Sequence, residues 1–275
     1  MNNFAVFFEI TNICNHRCIH CCKYWEDNSV LRTADKDTLD KIIALPKSHL
    51  TISGGEPGLS KDNVFYLIDN EKSNITINTN LTQWTEDEII YLNSLNNVTL
   101  NISVVSLLRD SYVKITGADT YDTFLKNLEV VSKNNVVSVI INNISLPTLE
   151  YTVRILIIAG FYNILVSPQT PTPYNSVDTN SVVQKVIKLH DQYKNISWIT
   201  TQGCIGTEYC DHECEAGIKR ILIDTKGDIY PCAPIHKPCL LGHLGDDIED
   251  IKKKGRDFYL SYPINERKLC KGFMV

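Results

Sequence analysis

The chain of 275 residues has no apolar run long enough to cross a membrane. It has no basic excess either, since 27 Lys and Arg face 32 Asp and Glu for a net charge of -5. Without a basic field there is little to hold a phosphate backbone, which sets nucleic acid aside. The start, MNNFAVFFEI, lacks a basic leader and is interrupted by Glu9, so it does not read as a secretory signal and a cytoplasmic location is expected. Triplets such as Asn80-Leu81-Thr82 match a glycosylation pattern but mean nothing in such a chain. Cysteine is missing from the 181 residues between Cys22 and Cys204, although the chain has ten. Ten cysteines in 275 residues are too few for a disulfide scaffold, and a chain of this size at 43% hydrophobic can bury a core without one. Thiols grouped at both ends read as metal ligands at two separate sites.

Short β-branched runs alternate with amphipathic stretches. Strands are expected near Phe4 to Ile10, Leu50 to Ser53, Asn74 to Asn78, Val98 to Val104, Val136 to Ile141 and Asn163 to Val166. Between them Leu39, Ile42 and Ile43, then Phe124, Leu128 and Val131, fall on single helical faces. Thr85-x-x-Glu88 ahead of Ile89 and Leu92 has the form of a capping box. Strand and helix in alternation predict an α/β protein with a parallel sheet of right-handed units. Six units are fewer than the eight of a closed barrel, so an incomplete barrel and a doubly wound sheet both fit. After Val166 the pattern changes: Ser167 to Asn175 is Pro-rich and reads as loop, and a helix is expected from about Ser181 to Tyr193. A boundary near Thr200 divides a domain over 1–200 from a smaller one over 201–275. There, Lys226-Gly227-Asp228 predicts a hairpin, and Ile248, Ile251 and Phe258 a last helix. A core that small is well served by a metal staple.

The first cysteines directly follow the first strand as Cys14-x-x-x-Cys18-x-x-Cys21. A zinc site completed by His16 or His20 is one reading. Three thiolates in one short loop also suit a cubane cluster, each sulfur on a different iron, with the fourth iron open to a chelating molecule. Gly54-Gly55-Glu56-Pro57 follows the second strand, and paired glycines let backbone approach a ligand closely. In a parallel sheet both segments emerge at the carboxyl edge, where α/β enzymes build their sites.

On these residues the chain resembles the radical S-adenosylmethionine (radical SAM) superfamily, with His20 where the family has an aromatic or similar residue before the last cysteine. Weaker likenesses are Asn78-Thr79-Asn80, where the family often reads Thr-Asn-Gly, Asn101-Ile102-Ser103, and Ile115-Thr116-Gly117 followed by Thr120 to Val131. The resemblance implies a partial (β/α)6 TIM-type barrel and a 4Fe-4S cluster on Cys14, Cys18 and Cys21. It also implies S-adenosylmethionine held by His20, Gly54, Gly55, Glu56, Pro57, Asn78, Asn80 and Ser103. The expected chemistry is reductive cleavage of that cofactor to a 5'-deoxyadenosyl radical, which abstracts a substrate hydrogen. Cys22 is outside the motif and reads as a small packed hydrophobe; His16 reads as loop structure.

Cys214, twelve residues, Gly227, four residues and Cys232 resemble the opening of a SPASM or shortened "twitch" extension, a small α+β domain with an auxiliary iron-sulfur cluster. The resemblance implies one such cluster, of the 4Fe-4S type, on Cys210, Cys214, Cys232 and Cys270, with Cys204 and Cys239 as alternates. Structural zinc is the rival there.

Enzymes of this kind modify ribosomally made peptides, by epimerisation, crosslinking or thioether formation, or dehydrogenate or epimerise small molecules such as a sugar, aminocyclitol or nucleoside. A peptide substrate is expected here, with an electron donor such as flavodoxin or ferredoxin. No peptide-recognition module is expected before the first strand, which counts against a peptide without excluding it, since a leader can be bound by the barrel mouth or by a separate protein. A non-enzyme electron carrier is the alternative, against which Gly54 to Pro57 speaks, because a carrier has no need of a methionine-binding segment. No catalytic acid or base is assigned; Tyr24, Trp25, Arg109, Tyr162 and Gln169 lie near expected strand ends, where each reads equally well as lining the mouth, as surface or as core.

Overall fold

Phe4, Val6, Phe8 and Ile10 take alternate positions on the first strand, β1 (Phe4–Thr11), and none is more than 1% exposed. Alternation puts all four on one face, and each buried side chain of this size contributes roughly 1.5–3 kcal/mol. The computed structural model describes residues 4–21, 23, 30–169, 177–201, 216–232 and 239–261. After β1 come α1 (Lys36–Ala44), β2 (Lys47–Gly54), α2 (Lys61–Asn70), β3 (Asn74–Thr79), α3 (Glu86–Ser94) and β4 (Val98–Val104). Next are α4 (Arg109–Thr116), α5 (Tyr121–Val130), β5 (Val136–Ile141), α6 (Leu149–Ile158), β6 (Asn163–Pro168), α7 (Thr179–Tyr193) and β7 (Trp198–Thr201). The chain continues with β8 (Arg220–Ile223), β9 (Asp228–Tyr230), β10 (Gly242–His243) and α8 (Ile248–Leu260).

The strands form one sheet in the order β10-β9-β8-β1-β2-β3-β4-β5-β6-β7. From β1 to β7 each strand lies parallel to the next, and β8 adds in parallel on the other side of β1. This is the α/β architecture that the alternation predicts, and all six expected strands are present. A seventh parallel strand, β7, extends the sheet past β6. Its four residues are too few to show a period, and Trp198 and Ile199 read equally well as helix or loop. The expected hairpin forms from β8 and β9, and through β8 it is continuous with the main sheet. The capping box is also present: Thr85 N donates to Glu88 Oε2 at 2.8 Å and Glu88 N to Thr85 Oγ1 at 3.3 Å. Among the described residues no helix is long and apolar enough to cross a membrane.

The two faces of the sheet differ in chemistry. Leu50, Ile52, Ile75, Ile77, Leu100, Ile102, Val137, Val139, Ile164 and Val166 belong to the buried apolar core. The positions between them carry His49, Thr51, Ser53, Thr76, Asn78, Thr99, Asn101, Ser103, Ser138 and Ser167 on the opposite face. Several are joined across the strands: Asn78 Nδ2 donates to Ser53 Oγ at 3.5 Å, Asn101 Nδ2 to Asn78 Oδ1 at 2.9 Å, and Ser138 Oγ to Asn101 Oδ1 at 2.6 Å. A polar ladder thus crosses β2 to β5.

The turn after β3 is held in an unusual shape. Leu81 has φ of 69°, alone among the described non-glycine residues in that region. Its N–H donates to Thr79 Oγ1, and its carbonyl accepts from Asn127 Nδ2 of α5 at 2.8 Å. The same amide reaches Trp84 O at 2.9 Å. Asn127→Ala leaves two buried carbonyls without their donor and is expected to cost about 1–3 kcal/mol, measured as the shift in urea unfolding.

Candidate metal and cofactor centre

The cysteine loop leaves the carboxyl end of β1 through a closed stem. Asn12 N donates to Arg32 O at 3.0 Å, Arg32 N to Asn12 Oδ1 at 2.7 Å, and Ala34 N to Ile10 O at 2.9 Å. Asn12 Nδ2 adds a bond to Val30 O at 2.9 Å. Beyond the stem the loop leans on the end of α4, whose last carbonyls have no partner within their own helix. Arg17 N donates to Thr116 O at 2.7 Å and Ile19 N to Ile115 O at 3.0 Å. Gly117 caps α4 in the left-handed region, with φ of 67°. The segment from Ile115 to Gly117 therefore serves the cysteine loop directly.

Within the loop Cys14 and Cys18 are half-buried and Cys21 is exposed. Cys21 N donates to Cys18 O at 3.0 Å, which closes a turn between the last two thiols. Burial pushes the Cys18 thiol up to about 12, helped by the charges of Cys21 and Cys14. Burial also raises Cys14. His16 Nε2 pairs with Thr120 Oγ1 at 2.8 Å, its ring meets Tyr112 edge-on at 6.0 Å, and burial lowers its pKa to about 4. It is a neutral brace for the loop, as expected. His20 is also lowered by burial to about 4, and its Nδ1 has no hydrogen-bond partner among the described residues.

Gly54-Gly55-Glu56-Pro57 packs against the root of this loop. Gly55 N donates to Thr11 O at 2.6 Å and Glu56 N to Ile13 O at 2.8 Å. A Cβ on Gly54 would stand 2.2 Å from Thr11 O, and one on Gly55 2.0 Å from Ile13 O. Gly54 also has φ of 136°. The close approach that these glycines allow is thus to the chain that leads into Cys14. The Glu56 carboxylate turns inward and accepts from Gly58 N at 2.9 Å, Thr79 Oγ1 at 2.6 Å and Asn80 N at 2.7 Å. Burial pushes its carboxyl up, against hydrogen bonds that favour the ionised form. Pro57 is buried in the short turn that follows.

Asn80 bridges the two regions. Its Nδ2 donates to Asn15 Oδ1 at 2.9 Å, its Oδ1 accepts from Thr82, and Asn15 Nδ2 donates to Thr82 Oγ1 at 2.8 Å. Asn78 lies in the polar ladder, and Ser103 stands half-buried one strand away on the same face. The cysteine loop, the Gly-Gly turn and Asn80 therefore meet at one edge, with Asn78 and Ser103 on the face beside it. Two groups here were not expected from the sequence. Asn15 sits between motif cysteines and ties the loop to β3, and buried Glu9 on β1 pairs with Lys23 at 2.8 Å just after Cys21. Asn15 left no sequence signal; Glu9, a lone carboxylate in an apolar strand, did.

Other expected site residues lie elsewhere. Tyr162 precedes β6, at the amino end of the sheet, and is 52% exposed; Arg109 stands on the surface of α4, paired with Asp119 and Asp122. Tyr162 is therefore on the edge opposite the cysteine loop, and Arg109, at the start of α4, is taken up by its surface ion pairs. Gln169 follows β6 at the carboxyl edge and is buried. Cys232 and Cys239 are half-buried. The antiparallel register, Tyr230 opposite Leu222, carries Cys232 back toward the amino ends of β8 and β1. Tyr24, Trp25, Cys22, Cys204, Cys210, Cys214 and Cys270 lie outside the described residues.

The sequence profile of the radical SAM superfamily matches residues 8–151, from β1 to the first turn of α6. The chain belongs to the radical SAM superfamily. Its cofactors are S-adenosylmethionine and a 4Fe-4S cluster. Solved structures agree in fold. SuiB of Streptococcus suis bound to precursor peptide SuiA superposes with a TM-score of 0.71 at 18% identity, over 91% of this chain and 65% of SuiB. SuiB bound to S-adenosylmethionine gives 0.72, also at 18%, over 90% of this chain and 65% of SuiB. The chain thus spans somewhat under two thirds of SuiB. Native anSMEcpe with bound AdoMet gives 0.72 at 15% identity, over 98% of this chain and 88% of that one. No sequence among the curated proteins matches.

The residues present fit the cluster. Three thiols on one stem-closed loop are a donor set for three corners of a cubane. Gly55→Ala places a methyl against Ile13 O, so we expect a loss of at least about 2 kcal/mol in urea unfolding and a lower iron yield on reconstitution.

Proposed function

We propose that this protein is a radical SAM enzyme that modifies a ribosomally made peptide by abstracting a hydrogen from one of its residues. Cys14, Cys18 and Cys21 hold the cluster, and His20, Gly54 to Pro57, Asn78, Asn80 and Ser103 form the surroundings of S-adenosylmethionine. When bound, cluster and cofactor together supply a one-electron reduction that yields a hydrogen-abstracting radical. The chain's own residues position this chemistry: the stem at Asn12 and the α4 carbonyls fix the loop, and Asn80 joins it to β3. Abstraction needs such placement, because a misdirected radical reacts with whatever is nearest.

The observation that carries the reading is the meeting of the three-cysteine loop and the Gly-Gly turn through two backbone hydrogen bonds. A peptide as substrate is supported by the fold shared with SuiB, solved with its precursor peptide, and with anSMEcpe, solved with AdoMet and the Kp18Cys peptide. On Cys210, Cys214, Cys232 and Cys270 we place the auxiliary 4Fe-4S cluster, which would accept the electron left after abstraction, and a flavodoxin or ferredoxin would donate the first. The C-terminal segment 201–275 is read as its twitch-like domain.

Anaerobic reconstitution with iron, sulfide and dithionite, followed by S-adenosylmethionine, is expected to give 5'-deoxyadenosine by chromatography; none should form with Cys18→Ala. Product from that variant would remove the loop from the reaction. Iron analysis is expected to give about eight atoms per chain and about four in Cys232→Ala, which keeps the first cluster. Unchanged iron would strike Cys232 from the ligand set.

A further inference from the structure

Ile164 and Val166 on β6 face the helices, so Leu165 and Ser167 stand on the polar face. The ladder with β5 runs one residue past the strand, where Gln169 N donates to Ile141 O at 2.8 Å. This keeps Gln169 on the side of Ser167 and beside Asn142, because Ile141 pairs with Pro168. Gln169 is 2% exposed, yet among the described residues neither its Nε2 nor its Oε1 has a partner. Ser167 Oγ and Asn142 Nδ2 are likewise buried and unpartnered. Asn142 Oδ1, in contrast, is fully used by Ile144 N and Ser145 N.

Leaving such a group unpaired costs stability, and buried polar atoms in folded proteins nearly always have partners. Three together at the carboxyl ends of adjacent strands, on the face that carries the polar ladder, make a site for something that brings its own donors and acceptors. The unpaired set can both donate, through the two amides and the hydroxyl, and accept, through Gln169 Oε1 and Ser167 Oγ. It has no charge. In extended backbone the N–H and C=O of one residue point to the same side, so a single carboxamide can pair with both. We propose that Gln169, flanked by Ser167 and Asn142, grips the main chain of the peptide substrate, with Oε1 accepting from an amide N–H and Nε2 donating to a carbonyl. Gln169 then selects for extended backbone regardless of side chains and sets the register of the peptide at the mouth. This rests on the peptide reading above.

The test is an array of capped pentapeptides, each present as the plain form and as the form methylated at its central amide nitrogen, probed with the reconstituted holoprotein and S-adenosylmethionine. Wild type should retain a subset of plain peptides and bind their methylated partners about tenfold more weakly. Gln169→Leu should bind the plain peptides about tenfold more weakly and show no further loss on methylation, since the two changes remove the same contact. Its urea midpoint should be equal to or above that of wild type, because an unpaired buried amide is replaced by an apolar group of similar size. If wild type retains no peptide, the substrate class is wrong. If both proteins retain the same peptides equally, the class stands and Gln169 is not the grip. A fall in urea midpoint would assign Gln169 a structural partner, and a parallel loss of S-adenosylmethionine binding in equilibrium dialysis would assign it to the cofactor; either overturns the proposal.

Discussion

The centre depends on one close contact, the backbone of Gly54 and Gly55 against Thr11 to Ile13. Any side chain at either glycine would overlap a carbonyl oxygen, so only glycine lets the exit of β2 lie on the exit of β1. From that contact the rest follows in a closed circuit. Glu56, set by it, receives Thr79 and Asn80 at the end of β3, Asn80 reaches back to Asn15, and the loop passes on to the carbonyls of α4. Ordering one loop residue costs about 1–2 kcal/mol, whereas each hydrogen bond returns about 0.5–1.5 kcal/mol net. No single link can hold the excursion from Ile13 to Leu31. Bonds to three separate strand and helix ends can.

This arrangement separates folding of the loop from loading of the metal. In a zinc finger the metal is the only cross-brace and the apo chain is unfolded. Here the stem, the helix carbonyls and Asn80 brace the loop through bonds that involve no thiol side chain. The thiols sit in that frame with Cys14 and Cys18 drawn inward and Cys21 outside. Burial favours their neutral form, and iron, once bound, favours the thiolate.

What the sequence made legible was periodic or punctuated. Alternation located six strands, and Thr85-x-x-Glu88 marked a helix start. What it hid was pairing in space. Nothing in β8 announces that it will lie beside β1, because an apolar run of four residues carries no record of its neighbour. The role of the glycines was readable as close approach but not as approach to Thr11 and Ile13, since a missing Cβ is silent about what fills its place. Tyr162 looked like a mouth residue because strand ends were placed without knowing which edge each residue occupies. Gln169 is beside a strand end too, and there the edge was the right one.

The sheet's two faces show why the polar side, once formed, must be used. On the helix side the residues between Asn, Ser and Thr are Ile, Leu and Val, and their burial drives the fold. The alternate polar residues come with them, because a strand cannot bury one face without fixing the other. Across β2 to β5 that cost is offset internally, through Ser53, Asn78, Asn101 and Ser138. Past β5 the ladder stops, and among the described residues Asn142 Nδ2, Ser167 Oγ and both amide atoms of Gln169 continue the polar face without partners. A sheet shaped only for stability would have carried apolar residues there. The place where internal pairing ends is thus where the fold gives up stability for binding, and it lies at the same carboxyl edge as the cysteine loop.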